Sequence, residues 1–388
     1  VNDLPTAIGA RLSELEAFRR DLHAHPELGY QEVRTSGKVA ENLSRLGLAH
    51  RTGLAKGTGV LAYLPATRPN AKTVALRGDM DALPIVESSG VAYTSETPGV
   101  MHACGHDGHT TILLGAATVL SKVEDRPNNV LFLFQPAEEG GAGAAAMIED
   151  GALKGGGIGP AADVIFGLHG APDIPLGELS TRTGPLMAAA QSLRIHVAGK
   201  GGHAAAPHTA IDPVVVASHL ILALQTVASR NVDPLDSVVV TIAAVHAGEA
   251  HNVISHEAHL KGTLRTLTTH TKELATERIR ELCEGVARAF GARITVEIES
   301  GYPVTQNHPD ATETVRKVLY DRMGEDRPPV MGGEDFSFYA HEIPACFFWL
   351  GLMPNNQPLP NLHSPLFDFN DDALPIGIEA MCHLALRA

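Results

Sequence analysis

Two kinds of hydrophobic pattern alternate along the chain. Residues 12–25 place Leu12, Leu15, Phe18 and Leu22 at helical spacing, and Pro26 stops the run, which predicts a helix. Residues 35–46 read as a second helix closed by Gly47, and 59–64 and 73–76 read as strands. A helix is predicted over 110–123 and another over 142–148. The runs 129–134 and 164–168 are nearly continuous apolar stretches, as buried strands require. Strands and helices in this alternation predict α/β layers.

Near Gly184 the pattern changes. Residues 193–197 alternate like a half-exposed strand, and 212–229 form a long Ala/Val/Leu-rich helix opened by Asp-Pro. Strands over 237–245 and 259–266, a helix over 272–290 and a strand over 293–298 follow. The order βαββαβ is the signature of a ferredoxin-like α+β unit. Beyond about residue 300 the α/β pattern returns, with a helix over 310–323, a strand over 345–350 and a closing helix from 375. Residues 185–299 therefore read as an insertion that divides a larger domain into 1–184 and 300–388.

Composition narrows the function classes. At 388 residues two domains are expected, and 44% hydrophobic with 5% aromatic residues means cores of aliphatics and alanine. A net charge of −14 argues against nucleic-acid binding as a main activity. No run approaches the ~18 apolar residues of a membrane span, and the start at Val1 shows no signal-peptide pattern. Cys104, Cys283, Cys346 and Cys382 lie far apart, as reduced thiols of a cytoplasmic protein would. Histidine stands out at 20 residues, which points toward metal chemistry.

Polar clusters follow the buried strands or open helices: Asp79-Met80-Asp81, the string 102–109, Glu138-Glu139, His169 and His363. In open α/β sheets such positions meet in one crevice. Cys104 and His106 are two apart in a glycine-containing turn, where thiolate and imidazole can reach one metal, or one metal and its neighbour. The adjacent acids Glu138 and Glu139 repel unless a cation lies close, so one suits a metal ligand and the other a general base. His169 and His363 gain meaning in that company. Asp107 reads as a helix cap, and His208, His246 and His256 as solvated side chains of the insertion.

The motifs at Arg20-Asp-Leu-His-Ala-His-Pro-Glu-Leu28, Arg77-Gly-Asp-Met-Asp-Ala-Leu-Pro84, His102-Ala-Cys-Gly-His-Asp-Gly-His109, Gln135-Pro-Ala-Glu-Glu139, Gly167-Leu-His169, Gly199-Lys-Gly-Gly-His203 and Met331-Gly-Gly-Glu-Asp-Phe336 resemble the metallopeptidase-20 family. They resemble above all its branch of hippurate hydrolases, N-acyl-amino-acid amidohydrolases and indole-acetyl-amino-acid hydrolases. The resemblance spans essentially the whole chain. It implies a zinc-peptidase-like catalytic domain, a mixed sheet flanked by helices, with 185–299 as an inserted lid and dimerisation domain. It implies two divalent metal ions per subunit, of the Zn, Mn, Ni or Co kind. Cys104 then bridges the pair, while His106, His169, Glu139 and His363 complete the ligands. Glu138 is the general base toward a hydroxide held between the metals, and Asp81 orients the site. His203 stabilises the oxyanion, and Asn252 and Arg265 lie near the substrate's carboxylate end. The implied activity is hydrolysis of N-acyl amino acids by a homodimer or larger homo-oligomer. A dipeptidase or carboxypeptidase on the same scaffold is the alternative. A cysteine hydrolase using Cys104 would survive chelation, and a non-catalytic binding protein would have no use for Glu138.

Overall fold

The structure is a computed structural model that describes residues 4–388; Val1, Asn2 and Asp3, where the reading of the N-terminus begins, lie outside the described residues. The chain forms two units. The larger holds everything up to Gly184, Gln306–Pro328 and Asp335–Ala388.

Its seven-stranded sheet runs in the order Ala49–Leu54, Gly59–Leu64, Asn129–Gln135, Thr73–Asp79, Val164–Pro175, Ala345–Met353, Leu179–Ser180. The central pairings are parallel and the outer ones antiparallel, so the sheet is mixed. The central strands are buried along nearly their whole length, which explains their continuous apolar runs. Helices His106–Leu120, Leu12–Ala24 and Leu374–Arg387 pack together beside the sheet. Phe132, Phe134, Phe166, Phe348 and Ile112 lie in the shared core. The chain leaves Thr73–Asp79 toward neighbours on opposite sides, so its carboxyl end opens onto the crevice of a switch point.

Two departures from the pattern matter. The strand Ala49–Leu54 escapes a hydrophobic reading because it is an edge, mostly exposed and held by antiparallel pairing to Gly59–Leu64. The helix expected over 110–123 begins at His106. Gly105 sits before it at φ +86°, and a Cβ there would come to 3.0 Å from the Phe369 ring. Glycine therefore sets the tight turn that delivers Cys104 and His106 together.

The smaller unit comprises Pro185–Thr305 and Pro329–Glu334. Its sheet has the order Val238–His246, Glu257–Thr266, Ala189–Ala198, Arg293–Ser300, entirely antiparallel. This is ferredoxin-like order. Helices Pro213–Thr226 and Thr269–Phe290 supply Val216, Leu220, Leu224, Ile279 and Cys283 to a core with Leu193, Ile195 and Val197. The intervening Ser192, Arg194 and His196 face the other side. The boundary differs from 185–299. The unit runs on to Thr305 and takes in Pro329–Glu334, because Val330 bridges to Met187 and its carbonyl accepts the Ala188 N–H at 3.1 Å.

Candidate metal centre

In the larger unit, Cys104 belongs to two donor groups. Its Sγ lies with ring nitrogens of His106 and His169 in one, and with Glu139 and His363 in the other. Within each group the donor atoms are no more than 4.8 Å apart. The Cys104 Sγ to His169 Nε2 distance is 3.4 Å, and His363 Nε2 lies 3.1 Å from Glu139 Oε1. His106, Glu138 and Glu139 form a further overlapping group.

Local folding explains why these side chains converge. The Ala137 backbone is left-handed at φ +54°, and its N–H donates to the buried Glu32 carboxylate at 2.8 Å. That bend presents Glu138 and Glu139, whose backbone N–H groups donate to Asp81 Oδ1 at 3.0 Å and Oδ2 at 2.9 Å. His106 Nδ1 lies 2.9 Å from the Asp81 carbonyl and donates to it, so in the neutral ring the lone pair is on Nε2. His169 is oriented alike, with Nδ1 donating to the Gly170 carbonyl at 2.9 Å. His363 takes φ +63°, and its N–H donates to the Ala103 carbonyl at 2.8 Å.

These groups pass a test of fit for divalent metals. Among the described residues, the buried His106 Nε2 has no hydrogen-bond partner, as a ligand nitrogen awaiting an ion would. His106 and His169 are each tied through the other ring nitrogen to a carbonyl, the support that metal-binding histidines use. The donor set of thiol, imidazoles and carboxylate suits first-row divalent ions. Burial keeps His169 well below its usual range, hence neutral. Burial also pushes the Cys104 thiol up, and hydrogen bonds to Cys104 and Glu139 push His363 up to about 10. A cation displaces such protons when it binds.

Not every metal-capable residue in the string 102–109 is used. His109 donates Nδ1–H to Asp79 at 2.7 Å, and its Nε2 accepts the Gly170 N–H at 2.9 Å. Both nitrogens are spent, so His109 braces the strand that carries His169. Asp107 is not the expected cap, since Gly105 holds that position and no side chain caps the helix; instead it accepts from His23 at 2.8 Å and Arg19 at 3.3 Å, all fully buried.

A supporting network escaped the sequence reading. Arg77, buried in the central strand, donates to Asp79 at 2.6 Å, Gln135 at 2.8 Å and Asp335 at 2.9 Å. Asp335 also accepts from Gln135 and from the Ala144 N–H at 2.9 Å. Burial pushes the Asp79 carboxyl up, but Arg77, then His106 and His109, outweigh it and hold it well below the usual range. The legible signal was an arginine inside an apolar strand, which cannot be buried without carboxylate partners.

In the smaller unit His203 and Asn252 are neighbours. His203 pairs with Val253, and the Ala204 N–H donates to the Asn252 carbonyl at 3.1 Å. The Ala205 N–H donates to His203 Nδ1 at 3.0 Å, so the ring proton sits on Nε2. Arg265 lies apart from them, on the Glu257–Thr266 strand, with Nε donating to Thr263 Oγ1 at 3.0 Å.

Comparison with known proteins agrees with this geometry. Residues 75–387 match the family described as Peptidase family M20/M25/M40. An N-acetyldiaminopimelate deacetylase of Enterococcus faecalis is 42% identical over 372 residues, covering 95% of this chain and 96% of the relative. An IAA-amino acid hydrolase of Arabidopsis thaliana is 42% identical over 380 residues, covering 95% and 85%. The crystal structure of a dinuclear metal-binding M20 peptidase from Bacillus subtilis superposes with a TM-score of 0.85 at 32% identity, covering 97% and 98%. The chain thus belongs to peptidase family M20/M25/M40 and is a metal-dependent amide hydrolase that takes two divalent ions per subunit.

Proposed function

We propose that the enzyme cleaves the amide bond of N-acyl amino acids, of the N-acetyl or hippurate kind, to a carboxylic acid and a free amino acid. The observation that carries the chemistry is Cys104 shared by two donor groups with the buried Glu138 carboxylate beside them. The choice of substrate is supported by relatives named for removing acetyl from an amino acid and for hydrolysing IAA–amino acid conjugates.

Cys104, His106, His169, Glu139 and His363 would hold the two ions, with Cys104 reaching both. When bound, the ions supply Lewis acidity that acidifies water and polarises the amide carbonyl. Glu138 takes the proton of the attacking water and delivers it to the leaving nitrogen. Its Oε1 accepts the Asp335 N–H at 3.3 Å, and its backbone is pinned by Asp81, so the carboxylate is aimed in advance. His203, with its proton on Nε2, donates to the carbonyl oxygen as negative charge develops there. Asn252 and Arg265 hold the substrate's carboxylate, to which a guanidinium forks two hydrogen bonds. The smaller unit is the lid and the surface of homo-oligomerisation, and the reduced thiols suit a cytoplasmic enzyme.

The test is a panel of N-acetyl and N-benzoyl amino acids beside dipeptides, run on the parent and on Glu138→Gln. The variant should keep both metals and lose ~10²–10⁴-fold in kcat. An unaffected rate would remove Glu138 as the base. Turnover of dipeptides alone would replace the N-acyl reading by a dipeptidase.

A further inference from the structure

The smaller unit carries a second histidine cluster that the hydrolytic reading leaves unused. His246, His259 and His196 stand directly opposite one another on three neighbouring strands, since His246 pairs with His259 and His259 with His196. Residues in register share one face of a sheet. Glu257, two positions before His259, shares that face too, the one opposite the helices. Its carboxylate meets His196 Nε2 at 3.0 Å, His259 Nε2 at 3.5 Å and His256 Nε2 at 3.6 Å. The His196 and His259 rings stack, with centroids 4.7 Å apart and planes inclined by 13°.

We propose that His196, His259 and Glu257 form a third metal site, on the open face of the smaller unit's sheet, for a divalent transition ion such as zinc. Two imidazoles and a carboxylate are a competent donor set for zinc, and water completes the tetrahedron. The donor atoms lie within 4.8 Å of one another. Tetrahedral zinc needs about 3.4 Å between them. The contraction is small, and the side chains are free to make it: His196, Glu257 and His259 are 36%, 39% and 52% exposed. Rotation about the Cβ–ring bond is soft, so the stacked rings can turn their lone pairs to one point. The cross-strand backbone already holds the two imidazoles side by side, so little freedom is lost on binding. His246 and His256 stand ready at the rim, and a groove of about 1170 Å³ continues from Glu257 and His259 to His203 and Asn252.

The holoenzyme, dialysed at pH 7.5 against rising concentrations of zinc chloride, is to be assayed for bound metal by atomic emission. The parent should take up one equivalent beyond its two resident ions. The His196→Gln/His259→Gln double variant should keep those two, lose the additional one, melt at the parent's temperature and hydrolyse amides at the parent's rate without added zinc. Glu257→Gln, which keeps both imidazoles, should weaken the additional uptake at least tenfold. An additional equivalent that survives in the double variant, or none in the parent, overturns the site. Uptake by Glu257→Gln at the parent's affinity overturns the carboxylate's part in it.

Discussion

Replacing Asp81 by Asn tests how much of the catalytic geometry one carboxylate maintains. Asp81 accepts the Glu138 and Glu139 N–H groups on separate oxygens, and its main-chain carbonyl fixes the His106 tautomer. Asparagine keeps the shape but offers one acceptor oxygen, so one buried N–H must face an NH₂ group. A buried donor left unsatisfied costs ~1–3 kcal/mol. Removal of such a support to a metal ligand costs ~10–100-fold in affinity or activity. At ~1.4 kcal/mol per tenfold the second figure is ~1.4–2.8 kcal/mol, similar in size to the first but read in activity, not in stability. The assay is kcat/KM on an N-acetyl amino acid, with metal content and urea unfolding measured on the same samples. We expect kcat/KM to fall ~10–100-fold in protein that is folded. If Asp81→Asn keeps full metal and a kcat/KM within threefold of the parent, the turn is held by something else and Asp81 does not maintain the geometry. If stability falls while folded enzyme works normally, Asp81 serves the fold alone.

Other expectations follow from the same contacts. Arg77→Leu leaves Asp79 and Asp335 buried without their cation and should cost ~3–5 kcal/mol; an unmoved urea midpoint would contradict this. Burial pushes His23 down, but hydrogen bonds to Asp107 and Glu87 outweigh it and raise it to about 9. The stabilisation is therefore complete below the unfolded value of ~6.5 and is lost as pH rises through about 9, by up to about 3 kcal/mol. His23→Gln should flatten the fall of unfolding free energy between those limits, and an identical slope would sink the linkage. With Cys104 as the proposed ligand, peroxide should inactivate the enzyme with release of metal, because an oxidised thiol binds metal less well; emission spectroscopy showing full metal in an inactive, Cys104-oxidised sample would refute this.

The parts of the fold that were legible share a cause. The strands within 129–135, 164–175 and 345–353 are buried on both faces, so composition alone marks them. The smaller unit's Leu193, Ile195 and Val197 alternate because only one face is covered. Features set by partners distant in sequence stayed hidden. Arg77 meets Asp335 across 258 positions; an arginine in an apolar strand calls for carboxylates but does not say which. The bracing part of His109 stayed hidden because its second nitrogen accepts a backbone N–H that no side-chain motif records. The Ala49–Leu54 edge and the Pro329–Glu334 segment owe their places to pairing, not to hydrophobicity. His246, His196 and His259 became a cluster only through strand register.

The larger unit cannot be completed in the order in which it is synthesised. Strand Ala345–Met353 is the parallel partner of Val164–Pro175, whose other edge pairs with Thr73–Asp79. At ~5–20 residues per second, a ribosome delivers that partner on the order of ten seconds or more later. The nascent chain meanwhile carries an unpaired strand edge bearing Ile165, Phe166 and Leu168, which suits it to chaperones. The smaller unit's four strands and two helices are contiguous from Ala189 to Ser300 and can close during the wait. His363 emerges last of the clustered donors, so the group it forms with Cys104 and Glu139 is completed only near the end of synthesis, long after Cys104, His106 and His169 are available.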